Sequence, residues 1–163
     1  SNGIPHVAGT AMACLYLGIG AALMLSIRMR SVPTLVIFLV AVKFTDIGAY
    51  FTGTIAGRHK LIPWLSPGKS WEGLIGGLAV AAGVTILVAA VLGIDMAAWR
   101  VAVFAAVCGS AGQFGDLCES LLKRSADVKD SGQVVPEFGG VLDILDSPLL
   151  AAPAAVVALA ILT

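Results

Sequence analysis

The chain has 163 residues, 58% of them hydrophobic and only 12% charged, and its basic and acidic residues balance to a formal net charge of zero. A soluble domain carries about a quarter charged residues, so a chain this poor in charge cannot cover a globule with polar surface, and part of its solvent must be lipid. The neutral balance excludes nucleic-acid binding by bulk charge, so no nucleic-acid partner is expected.

Crossing a hydrocarbon core about 30 Å thick takes about 20 apolar residues in a helix. Lipid offers the backbone no hydrogen-bond partner but itself, so each crossing must be helical. Five segments meet that length and predict an all-α fold, a polytopic membrane helix bundle. The first covers roughly residues 7–27, VAGTAMACLYLGIGAALMLSI. The second, roughly 33–57, starts PTLVIFLVAV and then turns polar. The third, roughly 73–93, reads GLIGGLAVAAGVTILVAAVLG; the fourth and fifth fall at roughly 97–122 and 141–162. Gly and Ala are abundant throughout, and small residues let membrane helices approach closely. Polar loops are expected at about 58–72 and 121–140.

Cys14, Cys108 and Cys118 all lie in apolar stretches without paired spacing, and read as buried thiols rather than disulfides or a zinc site. The chain opens SNGIPH without a Met, so further spans are expected upstream; no basic stretch precedes the first apolar run, so no cleavable signal peptide is expected.

Arg58, Lys60 and Lys69 follow the second helix, while Lys123, Arg124 and Lys129 follow the fourth. Two intervening spans put both groups on one side, against Arg28, Arg30 and Arg100 on the other. The side richer in basic residues is expected to be cytoplasmic.

Nearly all acidic residues gather on that same side. Asp46 lies within the second helix with Lys43 one turn before it, Glu72 starts the third, Asp116 and Glu119 end the fourth, and Asp143 and Asp146 open the fifth. Ionisable groups at membrane depth cost at least about 2.5–3.5 kcal/mol each and usually mark a functional path. The plain alternative is side chains reaching for the headgroups, but an Asp is too short to reach far. Asp116, Glu119, Ser120 and Lys123 are spaced to line one helical face, and Asp143 and Asp146 are one turn apart. Two helix ends presenting carboxylates to one aqueous boundary suit Mg²⁺, which binds through one or two carboxylates plus substrate phosphates. Lys69, Lys123, Arg124 and Lys129 suit the phosphates. Such a group describes a phosphoryl- or nucleotidyl-transfer site. In the loop GRHKLIPWLSPGKSWEGLIGG, Pro67-Gly68 signals a turn, and Ser70 with Glu72 signals the capped start of the third helix. Gly139-Gly140 marks either close backbone approach to a ligand or a break before a helix.

Together these stretches resemble the phosphatidate cytidylyltransferase family, the CDP-diacylglycerol synthases. The family signature, S-x-x-K-R-x4-K-D followed by Gly-Gly and two Asp, corresponds to SLLKRSADVKDSGQVVPEFGGVLDILD from Ser120 to Asp146. DIGAYFTGTIAGRHKL from Asp46, SPGKSWEG from Ser66 and GDLCES from Gly115 match flanking features, so the resemblance covers roughly residues 43–148. It implies a single transmembrane catalytic domain over residues 1–163, the C-terminal conserved part of a longer protein. It further implies an integral protein of the bacterial inner membrane with its active site facing the cytoplasm, a homodimer being an allowed state. The implied reaction takes CTP and phosphatidate to CDP-diacylglycerol and pyrophosphate, with Mg²⁺ and room for a second cation.

Under this resemblance Asp116 and Asp143 are metal ligands, with Glu119 and Asp146 supporting them or holding the second cation. Lys123, Arg124 and Lys129 hold phosphates, and Ser66, Lys69 and Ser70 contact nucleotide or phosphate. Asp116, Asp143 and Lys123 form the catalytic set, while Asp46 either pairs with Lys43 or lines the polar cavity. Two departures stand out: Phe138 replaces the family's usual His before Gly-Gly, and Ile144 replaces the usual Arg after Asp143. Roles of that His and Arg therefore do not carry over. Rival readings are a CTP-dependent polyprenol or lipid kinase, an intramembrane aspartyl protease suggested loosely by GQFGD, and a transporter. The protease has no use for the basic residues, and a transporter path would carry polar residues to both faces.

Overall fold

The computed structural model describes residues 3–125 and 141–162. In chain order they form α1 (Gly3–Arg30), α2 (Val32–Ala56), β1 (Lys60–Ile62), β2 (Ser66–Ser70), α3 (Trp71–Val91), α4 (Ala98–Ser125) and α5 (Val141–Leu162). All five helices are long and apolar enough to cross a membrane, and their outward faces carry Ile55, Ile75, Leu87, Val91 and Ile161. This is an integral membrane protein.

Local chemistry sets the corners. Ser31 stays extended between α1 and α2, its hydroxyl accepting from the Thr34 amide at 3.1 Å, with Pro33 in the first turn where its missing N–H costs nothing. After α3 the chain reverses at Gly93, whose φ of 65° suits glycine. There Gly93 N donates to Ala90 O and Ile94 N to Ala89 O, so the last carbonyls of α3 are satisfied.

The core runs between α2, α4 and α5, around Phe38, Val42, Phe104, Cys108, Ala151 and Leu159. Pro148 and Pro153 sit inside α5; membrane helices tolerate such prolines where surrounding groups satisfy the freed backbone. Against α2, α3 buries Gly73, Gly77 and Ala81. A Cβ on Gly77 would lie 2.6 Å from Thr45 O, so these helices meet as closely as backbones allow.

Some expectations change. Part of the polar loop after α2 is an antiparallel hairpin, with Lys60 opposite Ser70 and Ile62 opposite Ser66. Trp71 N donates to His59 O at 3.0 Å, and Glu72 accepts from the amides of Arg58 and His59 and meets His59 Nδ1 at 2.5 Å. These bonds fold the hairpin onto the first turn of α3, which begins at Trp71 rather than at 73. α4 likewise continues to Ser125, because Glu119 and Lys123 pair along its face and its basic last turn suits the helix C-terminus. All three cysteines are free, but only Cys108 is buried. Cys14 is exposed on α1, and Cys118 is half-buried.

Candidate active site

Polar residues from α2, β2, α4 and α5 converge at the hairpin end of the bundle. α4 is brought against its neighbours by glycines: a Cβ on Gly115 would stand 2.9 Å from Leu150 Cβ, and one on Gly112 the same distance from Val42 Cγ1. That approach sets Asp116 and Glu119 of α4 beside Asp146 of α5.

A cavity of about 460 Å³ opens there, lined by Lys43, Asp46, Tyr50, Lys69, Gln113, Asp116 and Asp146 among others. Lys69 Nζ meets Asp116 Oδ2 at 2.5 Å and donates to Gln113 O at 3.3 Å. Lys123 Nζ stands 3.2 Å from Glu119 Oε2, one turn along α4. Lys43 Nζ lies 3.9 Å from Asp46 Oδ2, while Gln113 Nε2 donates to Asp46 Oδ1 at 2.7 Å. Asp46 therefore both pairs with Lys43 and lines the cavity. The Ser147 hydroxyl donates to Asp146 Oδ1 at 3.3 Å, and the Tyr16 hydroxyl of α1 donates to the Asp146 carbonyl at 3.2 Å.

Carboxylate oxygens of Asp116, Glu119 and Asp146 lie within 4.8 Å of one another. A hard cation with ligands at about 2.1 Å draws its oxygens to about 3–4 Å apart, within reach of small side-chain rotations here. Glu119 and Asp146 are only 7% and 2% exposed, and buried carboxylates persist when paired or when they coordinate a metal. Among the described residues two lysines, Lys69 and Lys123, pair with members of this trio, so negative charge is in excess. All-oxygen donors with surplus negative charge fit a divalent cation of the Mg²⁺ type.

The other expected residues fall as follows. Ser70 is 4% exposed; it lines the cavity and caps α3, its hydroxyl accepting from Gly73 N at 3.1 Å. Ser66 opens β2 opposite Ile62 and Arg124 is exposed on the last turn of α4; neither lines the cavity. Asp143 falls in the first turn of α5, but its side chain, like that of Ile144, lies outside the described residues. Lys129, Phe138, Gly139 and Gly140 also lie outside them. Reasoning from charge overlooked Gln113, Ser147 and Tyr16. Gln113 had a usable signal, a polar side chain one turn before Asp116 on the same face; Tyr16 had none, being 130 positions from its partner.

Comparison with known proteins bears on this site. The model of the family described as the cytidylyltransferase family matches residues 2–162. The phosphatidate cytidylyltransferase of Staphylococcus saprophyticus is 36% identical over 142 residues, 87% of this chain and 55% of the relative. That of Staphylococcus haemolyticus is 37% identical with the same coverage. That of Brucella suis is 43% identical over 136 residues, 81% of this chain and 50% of the relative. The chain thus spans about half the length of the curated relatives it matches. With the match running across all five helices, the carboxylate trio and the lysines beside it, the chain belongs to the cytidylyltransferase family.

Proposed function

We propose that the chain is the catalytic region of a membrane-embedded nucleotidyltransferase that makes CDP-diacylglycerol and pyrophosphate from CTP and phosphatidate, in phospholipid biosynthesis. The observation that carries this reading is the meeting of Asp116, Glu119 and Asp146 with Lys69 and Lys123 at one end of a membrane bundle. The names of the relatives support the choice of substrates.

In the proposed reaction a phosphate oxygen of phosphatidate attacks the α-phosphorus of CTP. The bond from that phosphorus to the bridging oxygen breaks, and pyrophosphate leaves with the electron pair. A phosphate monoester has a second pKa of about 6, so the nucleophile is largely ionised at neutral pH and needs no base. That suits a chain with Phe138 where the family usually has His. The remaining task is alignment and charge neutralisation.

Asp116 and Asp143 are the proposed Mg²⁺ ligands, with Glu119 and Asp146 supporting them or holding a second cation. When bound, Mg²⁺ supplies charge stabilisation at the phosphate oxygens. Lys69 and Lys123 hold the triphosphate, and Arg124 and Lys129 extend that role towards the leaving pyrophosphate. Gln113 braces Asp46 on the cavity wall. Ser70 lines the cavity, and Ser66 opens the strand that carries Lys69. The hairpin end also carries Arg58, Lys60 and Arg124, against Arg28, Arg30 and Arg100 at the opposite end, which supports a cytoplasmic active site. Trp64 and Trp71 at one end and Trp99 at the other are exposed, as expected of aromatic belts at the two membrane interfaces.

Labelled CTP tests the reaction. With phosphatidate and the full-length protein in liposomes, label from the α-phosphate should enter lipid while pyrophosphate is released. Transfer of the γ-phosphate to lipid, with release of CDP, would overturn the proposal in favour of a kinase.

A further inference from the structure

Lys69 and Asp116 meet at 2.5 Å, yet the reading above gives them different partners, phosphate for the lysine and a cation for the carboxylate. An ammonium and a divalent cation compete for the same carboxylate oxygens, and two cations held together on one carboxylate repel. A cation on Asp116 therefore weakens the hold of Lys69 on that carboxylate.

The surrounding structure fixes what can move. The backbone on either side of Lys69 is tied down: Lys60 pairs with Ser70, Ser70 caps α3 through Gly73 N, and Trp71 N bonds His59 O. The Lys69 side chain is held by polar contacts to α4, starting with Asp116, rather than by the backbone bonds of the hairpin. Its other bond goes to the Gln113 carbonyl at 3.3 Å, and it borders an open cavity together with Asp46, Gln113 and Asp116. A lysine carries a compact point charge on a flexible four-carbon stem, so it can swing without moving the hairpin. The Asp116 side chain is 36% exposed and lines the same cavity, so a cation can reach it from there.

Building on the proposed function, we propose that Lys69 is an exchangeable counter-ion: it neutralises Asp116 until a divalent cation arrives, then transfers to the phosphates of the incoming nucleotide. Cation and nucleotide then bind with positive coupling, because each relieves a charge that the other leaves uncompensated. By linkage the coupling is reciprocal. The cation alone binds weakly because it must compete with Lys69, which neutralises Asp116 when no triphosphate is present.

The test uses full-length protein in nanodiscs, Mn²⁺ as the cation probe read by electron paramagnetic resonance, and CTP without phosphatidate. Without nucleotide, Lys69→Met should bind Mn²⁺ about tenfold more tightly than wild type, since a competing positive charge is removed. The same variant should bind CTP about tenfold more weakly. Lys69→Arg, which keeps the charge, should stay close to wild type in Mn²⁺ affinity. Should Lys69→Met fail to fold, Lys69→Gln serves for the same comparison. A strut that merely held the hairpin in place would weaken both ligands on removal, and a fixed phosphate contact would weaken CTP alone; either result overturns the exchange. Asp116→Asn separates the two levels. If it abolishes tight Mn²⁺ binding while Lys69→Met leaves Mn²⁺ affinity unchanged, the cation site stands and the exchange falls. If Asp116→Asn leaves Mn²⁺ binding intact, the cation site and the exchange fall together.

Discussion

α3 and α4 are sequence neighbours that both cross the membrane, and they use their buried faces in opposite ways. α3 has no ionisable residue after Glu72, and it buries Gly73, Gly77, Ala81, Thr85 and Ala89, one position every four residues. That stripe brings its backbone against α2 and leaves no room for side-chain chemistry. α4 begins similarly, with Phe104, Ala105 and Cys108 buried, but its second half buries Gln113 and Glu119. There Gly112 and Gly115 still hold the neighbouring helices close, while Gln113 between them and Asp116 just after them line a cavity. Small residues serve both helices; polar residues set beside them make one of the two the wall of a polar cavity.

The contrast breaks most sharply at the carboxylates. Asp116→Asn and Asp146→Asn should each lower CTP-dependent lipid labelling about 10²–10³-fold, the scale of losing one preorganised charge-stabilising group. Insertion and the thermal midpoint should change little, as read by detergent-solubilised unfolding. On α3 the expected effect falls on stability. Gly77→Val must fit atoms where even a Cβ would lie 2.6 Å from Thr45 O, and such overpacking costs about 1–3 kcal/mol. Gly83 has nothing within 4 Å of its virtual Cβ, so Gly83→Ala should be neutral or raise the midpoint slightly. Equal destabilisation by the two glycine changes would remove the packing account of α3.

Smaller effects sharpen the comparison within α4 and at the start of α3. Gln113→Leu removes the 2.7 Å bond to Asp46; it should raise the KM for CTP about tenfold, equivalent to about 1.4 kcal/mol, with a smaller change in kcat. Ser70→Ala removes the cap on Gly73 N and should cost about 1 kcal/mol of stability, measured by chemical unfolding. Ser70→Thr should recover most of that loss. Were Ser70→Ala to abolish CTP binding without destabilising the protein, Ser70 would belong to the nucleotide contacts rather than to the scaffold.

Residues that report their environment through composition or local spacing were legible in advance. Apolar length located all five spans to within a few residues, and Ser70 before Glu72 identified the start of α3, because capping is a contact three residues long. The face joining Asp116, Glu119 and Lys123 follows from helical periodicity alone. The hairpin was not legible. Its strands are three and five residues long, and SPGKS carries neither alternation nor β-branched residues; its pairing depends on Glu72 gripping His59 and Arg58. Contacts between distant parts of the chain were equally hidden. Nothing near Lys69 announces Asp116, and nothing near Tyr16 announces the Asp146 carbonyl. Such pairs exist only once glycines have set the helix spacing.

The central claim is that the cavity at the hairpin end is a cation-dependent nucleotide site, and thermal protection of the full-length protein tests it most directly. CTP should raise the unfolding midpoint when Mg²⁺ is present and leave it unchanged in EDTA, and Asp116→Asn should lose the Mg²⁺-dependent rise. Equal protection by CTP with and without Mg²⁺, or full protection in Asp116→Asn, would contradict the account.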